Sequence, residues 1–372
     1  MLASIILPCR NEEKAVGRVI NQIKEVINKN NIKAEIIVSD SSKDNSADIA
    51  RMLGVRVIKH NKKGYGIALI EGLSAAQGQY LFFADCDGTY DFRELPKFIK
   101  YLEEGYDFVI GNRKKIENGA MPFLHRYFGN PALSCSLRLF FNANIKDAHC
   151  GMRALTKEAF EKMELRTTGM EFASEMIIKA IKQNLRIKQV PINYHRRIGK
   201  SKLSSFSDGW RHLRFMLMYA PDYLFTIPGL FSLLFGILIM AMFLAGPIQI
   251  NGLKLYTHPM IIGSFLTIVG YQIVTLGIYA KTYAVSAGLE KKDRLVETVA
   301  RFVTFESGIV FGLMILLISF VLGLMLLIDW IIGGFPGIMK TNLIILILTL
   351  GIIGVQTMFS SFFLSVLLVE RK

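Results

Sequence analysis

Four long apolar stretches constrain this chain more than any other feature: Tyr223 to Ala245, Leu255 to Ala280, Ser307 to Ile332 and Thr341 to Val369. Each reaches the roughly 20 residues that a helix needs to cross about 30 Å of hydrocarbon. Helices buried in a soluble core are the alternative reading, and hydropathy criteria favour membrane spans. Before Asp222 the chain changes character, with mixed charges and short apolar runs. The opening segment LASIILP lacks a basic flank and a small-residue cleavage site, so it reads as a strand and not as a signal peptide. The expected organisation is a soluble domain over 1–221 and an all-α transmembrane domain over 222–372.

Charge sharpens that boundary. Of 44 Lys+Arg and 30 Asp+Glu, residues 1–214 hold 35 and 23, so +12 of the net +14 lies in the soluble part. Such an excess suits nucleic acid, an anionic membrane surface or phosphorylated substrates. The neighbouring spans favour the last two, and no nucleic-acid partner is expected. Lys281, Lys291, Lys292, Arg294 and Arg301 lie in or beside the loop between the second and third spans, and Arg371 and Lys372 close the chain. The loops after the first and third spans offer only Lys254 and Lys340. The positive-inside rule then puts the soluble domain, the middle loop and the C-terminus in the cytosol. The expected location is the cell membrane, or the endoplasmic reticulum in a eukaryote. Cys9, Cys86, Cys135 and Cys150 have no CxxC or zinc-type spacing, so reduced structural thiols are expected.

Within the soluble part, strand candidates Ser4–Leu7, Ala34–Ser39, Val55–Lys59, Tyr80–Ala84 and Phe108–Ile110 alternate with helical patterns over Arg10–Asn28, Asn45–Leu53 and Gly66–Ala76. In the first helix, Val16, Val19, Ile20, Ile23 and Ile27 share a face. Alternation of this kind predicts an α/β domain with a mainly parallel, three-layer sheet. Ligands bind such sheets beyond the carboxyl ends of the strands. Those ends carry Pro8-Cys9-Arg10-Asn11-Glu12, Asp40-Ser41-Ser42 and Asp85-Cys86-Asp87-Gly88-Thr89. Asp85 and Asp87 follow an apolar strand at the period-two spacing that puts both carboxylates on one side of an extended chain. Their repulsion calls for a cation, and Mg²⁺ or Mn²⁺ held by one or two carboxylates plus substrate phosphates meets that need. An acidic turn in which Asp91 caps the next helix is the bland alternative.

Taken in order and spacing, ILPCRNEE, EIIVSDSSKDNS, KKGYGIALIEGL and FFADCDGTYDF resemble family 2 glycosyltransferases of the GT-A fold, a Rossmann-like class. IGNR at 110–113, KDAHCGMRAL at 146–155 and RRIGKSKL at 196–203 resemble the narrower group of polyprenyl-phosphate glycosyltransferases, which includes dolichyl-phosphate mannose and glucose synthases. The resemblance covers residues 1 to about 210 and weakens in the membrane region.

The resemblance implies roles for particular residues. Pro8, Asn11 and Glu12 would line the base and ribose pocket, and Asp40 would accept hydrogen bonds from the base. Capping of the first helix by Asn11 or Glu12, or of a turn by Asp40, would explain the same residues. Gly64 and Gly66 flank a tyrosine at a helix start, where backbone can approach a phosphate closely; a tight turn explains them almost as well. Asp87 is the first choice of metal ligand, with Asp85 on sugar or ribose hydroxyls and sharing the metal. Relatives in this group carry Gln where this chain has Thr89, so water or Thr89 would complete the shell. Arg113 and Arg126 resemble the pair that holds the lipid phosphate, with Asn130 one turn beyond and Arg153 near the acceptor end; a guanidinium fork matches phosphate oxygens bidentately. Glu175 would order the arginines or the sugar, or form a salt bridge. Arg197, Ser201 and Lys202 look like a loop that closes over the donor diphosphate. Two amphipathic stretches, near 123–142 and 206–219, suit helices lying in the membrane interface.

The reaction so implied is metal-dependent, inverting transfer of a hexose from a nucleotide-diphosphate sugar of the GDP-mannose or UDP-glucose type to polyprenyl or dolichyl phosphate. Two alternatives stand beside it. One is a family 2 enzyme acting on a lipid-linked or surface glycan, although the Q-x-x-R-W element of processive synthases is absent. The other is a transporter with a regulatory nucleotide domain, although only Gln272 and Gln356 clearly interrupt the spans. Gly308 and Gly312 form a GxxxG suited to helix packing, so a homo-oligomer through the spans is an open expectation.

Overall fold

A computed structural model describes residues 2–199, 205–250, 253–286, 305–334 and 340–368. The chain divides into two compact units, Met1–Tyr219 and Ala220–Lys372.

The first unit is built on seven strands: β1 (Ala3–Cys9), β2 (Ala34–Asp40), β3 (Arg56–Lys59), β4 (Tyr80–Phe83), β5 (Phe108–Ile116), β6 (Arg153–Thr156) and β7 (Ile187–Tyr194), in the spatial order β3-β2-β1-β4-β6-β5-β7. Strands β1 and β4 are almost wholly buried. Such runs read as continuously apolar because helices cover both faces of the sheet. On the faces lie α1 (Val16–Lys29), α2 (Ser46–Met52), α3 (Tyr65–Ser74), α4 (Leu95–Glu103), α5 (Asn130–Phe141), α6 (Lys157–Met163), α7 (Phe172–Lys182) and α8 (Ser205–Met218). Helix α1 buries Val16, Val19, Ile20, Ile23 and Val26. It starts six residues later than the apolar pattern suggested, because Asn11 takes a left-handed conformation (φ 52°) that no helix interior accommodates.

The sheet is less uniformly parallel than expected. Strand β6 runs antiparallel between β4 and β5, whereas β5 and β7 are parallel. Neither β6 nor β7 stood out in the sequence. Strand β6 has four residues and opens on an arginine, while β7 contains Pro191. A proline cannot donate to a ladder and is confined to edges, and β7 is the edge of this sheet. Because β1 lies between β2 and β4, the connections reverse direction there. The carboxyl ends of β1 and β4 therefore open the crevice where an α/β sheet binds ligands.

Among its described residues the second unit has four helices long and apolar enough to cross a membrane. They are α9 (Ile227–Phe243, entered through a wide turn at Asp222–Thr226), α10 (His258–Ser286), α11 (Phe305–Ile332) and α12 (Thr341–Leu368), with a short hairpin of β8 (Ile248–Ile250) and β9 (Leu253–Leu255) between the first two. Small residues set the packing. A Cβ on Gly236 would lie 2.7 Å from the carbonyl oxygen of Gly263, and one on Gly312 would lie 2.8 Å from that of Gly354. Lipid tails offer no hydrophobic drive between helices, so such close backbone approach supplies the attraction. The Gly308/Gly312 pair thus packs within one chain, against Ser361 and Gly354 of α12.

Candidate active site

A cleft of about 500 Å³ opens at the ends of β1 and β4, with Pro8, Glu12, Asp85, Asp87, Arg113 and Arg197 in its wall. Asp87 is fixed by its own turn: one carboxylate oxygen accepts the Thr89 N–H (3.0 Å) and the Thr89 hydroxyl (2.6 Å). The other faces Arg197 Nη1 at 3.2 Å. Thr89 is 1% exposed and its hydroxyl proton goes to Asp87, so its place is to orient that carboxylate. Burial and the neighbouring Asp87 push the Asp85 carboxyl up to about 7, against the pull of Arg197 and a hydrogen bond from Tyr65. Glu12 also pairs with Arg197.

Glu12, Asp85 and Asp87 thus bring three carboxylates around one guanidinium. This deficit of positive charge is what a divalent cation would fill. Among the described residues, no group of three or more His, Cys, Asp and Glu could enclose a metal unaided. The donor set therefore fits an ion held by Asp87 and Asp85 and completed by substrate phosphates.

At the end of β2, Asp40 is wholly buried and is not part of the cleft wall; one oxygen accepts the Ser42 N–H at 3.2 Å and the other has no partner among the described residues. Pro8 lines the cleft. Asn11 does not, and its amide oxygen accepts the Lys43 N–H at 2.8 Å, tying the loop after β1 to that after β2.

Gly64 borders the cleft, but the α3 N-terminus is no open phosphate cradle. The N–H groups of Gly66 and Ile67 donate to the carbonyls of Gly169 (3.2 Å) and Thr168 (3.3 Å). The glycines are required by that loop: a Cβ on either would lie 2.2 Å from a backbone oxygen, of Thr168 at Gly64 and of Thr167 at Gly66. Glu175 shapes the same loop, accepting the N–H groups of Arg166 (3.0 Å) and Thr167 (2.9 Å) and the Thr167 hydroxyl (2.6 Å), with Lys179 at 2.8 Å. Gly66→Ala is expected to destabilise the protein by about 2 kcal/mol or more, since backbone and not a flexible side chain must move; thermal melting of the variant checks it.

Also in the cleft wall, Arg113 is already engaged. Its Nε and Nη2 donate to the two oxygens of Asp147, both at 2.7 Å, and its plane lies over Tyr194 with 5.2 Å to the ring centroid. Both side chains of the pair are 8% exposed. Burial pushes the Asp147 carboxyl up, but Arg113 beside it holds it below the usual carboxylate range. Asn130 lines the cleft and donates to Asp147 at 3.2 Å. Arg126 sits in a wide helical turn, His125–Gly129, with its guanidinium 5.4 Å from the Tyr127 ring centroid, and is not part of the cleft wall.

Arg153 departs most from expectation. It is 1% exposed and donates to the carbonyls of Cys150 (2.9 Å), Ala173 (2.8 Å) and Ala148 (2.8 Å). It braces β6, α7 and the 147–151 turn, and it is not part of the cleft wall. Lys202 and Ser201 lie outside the described residues.

Two residues of that turn, Gly151 and His149, and Tyr90 beside it had no assigned role in the sequence. A Cβ on Gly151 would lie 2.8 Å from Asp85 Oδ2, so only glycine admits the aspartate there. Tyr90 accepts the Gly151 N–H at 2.6 Å. His149 lines the cleft. The spacing D-x-x-x-G-x-R from Asp147 to Arg153 was visible, but its folded meaning depends on which side chains turn inward.

Residues 4–164 match the family model described as glycosyl transferase family 2, and residues 278–368 match the family 2 C-terminal transmembrane region. A low-salt glycan biosynthesis hexosyltransferase of Haloferax volcanii is 36% identical over 364 residues, covering 97% of this chain and 88% of the relative. A dolichyl-phosphate hexose transferase of the same organism is 34% identical over 208 residues, covering 55% of this chain and 88% of the relative. Among solved structures, glucosyl-3-phosphoglycerate synthase from Mycobacterium tuberculosis aligns with a TM-score of 0.48 and 20% identity, over 59% of this chain and 80% of that one. An α/β domain with paired strand-end aspartates, joined to four apolar helices and matched over nearly its full length by a hexosyltransferase, makes this chain a membrane-spanning member of glycosyl transferase family 2, with the GT-A fold.

Proposed function

We propose that the protein transfers a hexose from a nucleotide-diphosphate sugar to the phosphate of a polyprenol, with inversion at the anomeric carbon. The observation that carries this reading is one cleft whose wall holds both the Asp85/Asp87 pair and Arg113 with Asn130. A diphosphate with its metal suits the carboxylate pair, and a phosphate monoester suits the arginine and asparagine.

The unpartnered oxygen of Asp40 suits an N–H edge of a base. Asp87 and Asp85 would hold Mg²⁺ or Mn²⁺, which when bound neutralises charge on the departing diphosphate. Arg197 adds positive charge at that leaving group. The acceptor needs no general base, because a phosphate monoester with a second pKa near 6 is already a dianion at neutral pH. An acceptor oxygen forms a bond to the anomeric carbon as the bond to the nucleoside diphosphate breaks. The chain's task is alignment and charge shielding, by Arg113 and Asn130 at the acceptor and Arg197 at the donor. Arg126 would meet the lipid phosphate from the adjoining wide turn.

The lipid would arrive along the surface of residues 1–219. Phe123, Tyr127 and Phe128 beside α5, and Trp210 on α8, are each more than half exposed, interleaved with Arg126, Arg138, Arg211 and Arg214. Apolar rings with basic neighbours suit a bilayer interface.

Purified protein incubated with polyprenyl phosphate, Mg²⁺ or Mn²⁺ and a panel of labelled nucleotide sugars should yield organic-extractable label with one donor. Label that enters only an added glycan would replace the acceptor. For orientation, reporter tags in the 283–305 loop and at Lys372 should be cytosolic and a tag at Asn251 external; an Asn251 tag on the side of the catalytic domain would break the four-span arrangement.

A further inference from the structure

We propose that His149 is a positioning residue for the incoming phosphate, and that His149, Ser174 and His212 form one proton-sharing unit that becomes charged when that phosphate enters the cleft. The inference rests on the proposed phosphate-monoester acceptor. Both imidazoles line the cleft that also holds Arg113 and Asn130. The Ser174 hydroxyl bridges them, 2.9 Å from His212 Nδ1 and 3.4 Å from His149 Nε2, and the rings meet edge to face with centroids 4.3 Å apart. His149 Nδ1 is buried without a partner among the described residues. A buried polar atom with no partner costs stability, so one on a ligand cleft points to a contact completed by the ligand.

One serine proton cannot satisfy both rings as donor. Where Ser174 donates to one imidazole it accepts from the other, so the two tautomers are tied together. With an oxyanion at Nδ1, His149 must be the donor there.

The groups facing His149 are Arg113 on β5, Arg153 on β6, His212 on α8 and, in its own turn, Asp147, which accepts the His149 backbone N–H. Burial, then His212 and the two arginines, holds His149 well below the ordinary histidine range, so it is neutral in the empty cleft. A dianion beside it reverses that balance, and the contact between the rings limits the pair to one added proton. The same turn carries Asp147 on Arg113 and Gly151 against Asp85, so His149 stands between the acceptor arginine and the donor carboxylate.

The test is calorimetry of farnesyl phosphate binding to the full-length protein with Mn²⁺ at pH 7, in two buffers of different ionisation enthalpy. The parent is expected to take up roughly half a proton or more, since the ligand itself is already mostly dianionic. His149→Gln and His212→Gln should bring that uptake near zero and weaken farnesyl phosphate about tenfold. His149→Asn, whose amide reaches the Nδ1 position, should recover part of the affinity but none of the uptake. Binding of Mn²⁺ with the nucleotide sugar should stay within about twofold of the parent in all three. Parent binding without proton uptake, or uptake unchanged in His149→Gln, overturns the inference; so does a matching loss of donor binding, which would mark a general structural role. If farnesyl phosphate fails to bind the parent at all, the proposed acceptor class fails and this inference with it.

Discussion

Asp87→Asn should leave a folded, membrane-inserted protein whose transfer activity has fallen by at least about a hundredfold, the usual size of losing one preorganised electrostatic contact to a transition state. The fold should survive because Asp87 is held locally. Its hydrogen bonds run to Thr89 two residues on, and an amide oxygen can still accept both. What disappears is the charge, and with it the strongest reason for a cation to sit beside Asp85. Asp87→Ala should be at least as inactive, with an added stability cost of about 1 kcal/mol for leaving the Thr89 donors unmet. Melting curves and transfer assays across a metal titration read the two effects separately. Metal-dependent activity within tenfold of the parent would remove Asp87 from the site.

The sequence carried the parts of this fold that depend on periodicity and local punctuation. The apolar runs of β1 and β4, the aspartates at the end of β4 and the four spans are one-dimensional signals, and the helix boundaries in the membrane unit fall within a few residues of the apolar stretches, six at most. Strands β6 and β7 were hidden for physical reasons. An arginine at the head of a four-residue strand looks polar until three backbone carbonyls are seen to solvate its guanidinium. Proline lowers the strand signal of β7, although an edge tolerates it.

The site was legible at its strand-end carboxylates and less so elsewhere. Gly64 and Gly66 suggested a phosphate at a helix N-terminus, and what meets that terminus is the backbone of residues 167–169. A close-approach glycine says that something comes near, not whether it is ligand or protein. Asn11 likewise marks a left-handed turn that fastens two loops. The arginines divide by partner, which no spacing reveals. Arg153 is spent on carbonyls, Arg113 on Asp147 and Arg197 on Glu12 and Asp87.

That division makes Arg113 the most informative position for the acceptor. Replacing it with alanine removes one member of a buried, bidentate pair and strands Asp147, and breaking a buried ion pair from one side costs about 3–5 kcal/mol. Arg113→Ala should therefore be both unstable and inactive, and by itself would not separate binding from folding. The double variant Arg113→Met with Asp147→Asn should recover most of the stability, because neither charge is left buried alone. It should not recover acceptor binding. The loss of one charge-assisted contact, about 1.5–3 kcal/mol, corresponds to a fall of roughly tenfold or more in acceptor affinity. Arg113→Lys should rescue only partly, since an ammonium cannot reproduce the fork on Asp147. Arg197→Ala should show the reverse pattern, with donor binding weakened and acceptor binding retained, because its partners are Glu12 and Asp87. Titrating each substrate separately against each variant reads the division directly. Equal loss of donor affinity in the double variant and in Arg197→Ala would show that both arginines serve the donor, and recovery of acceptor binding in the double variant would remove Arg113 from the acceptor site.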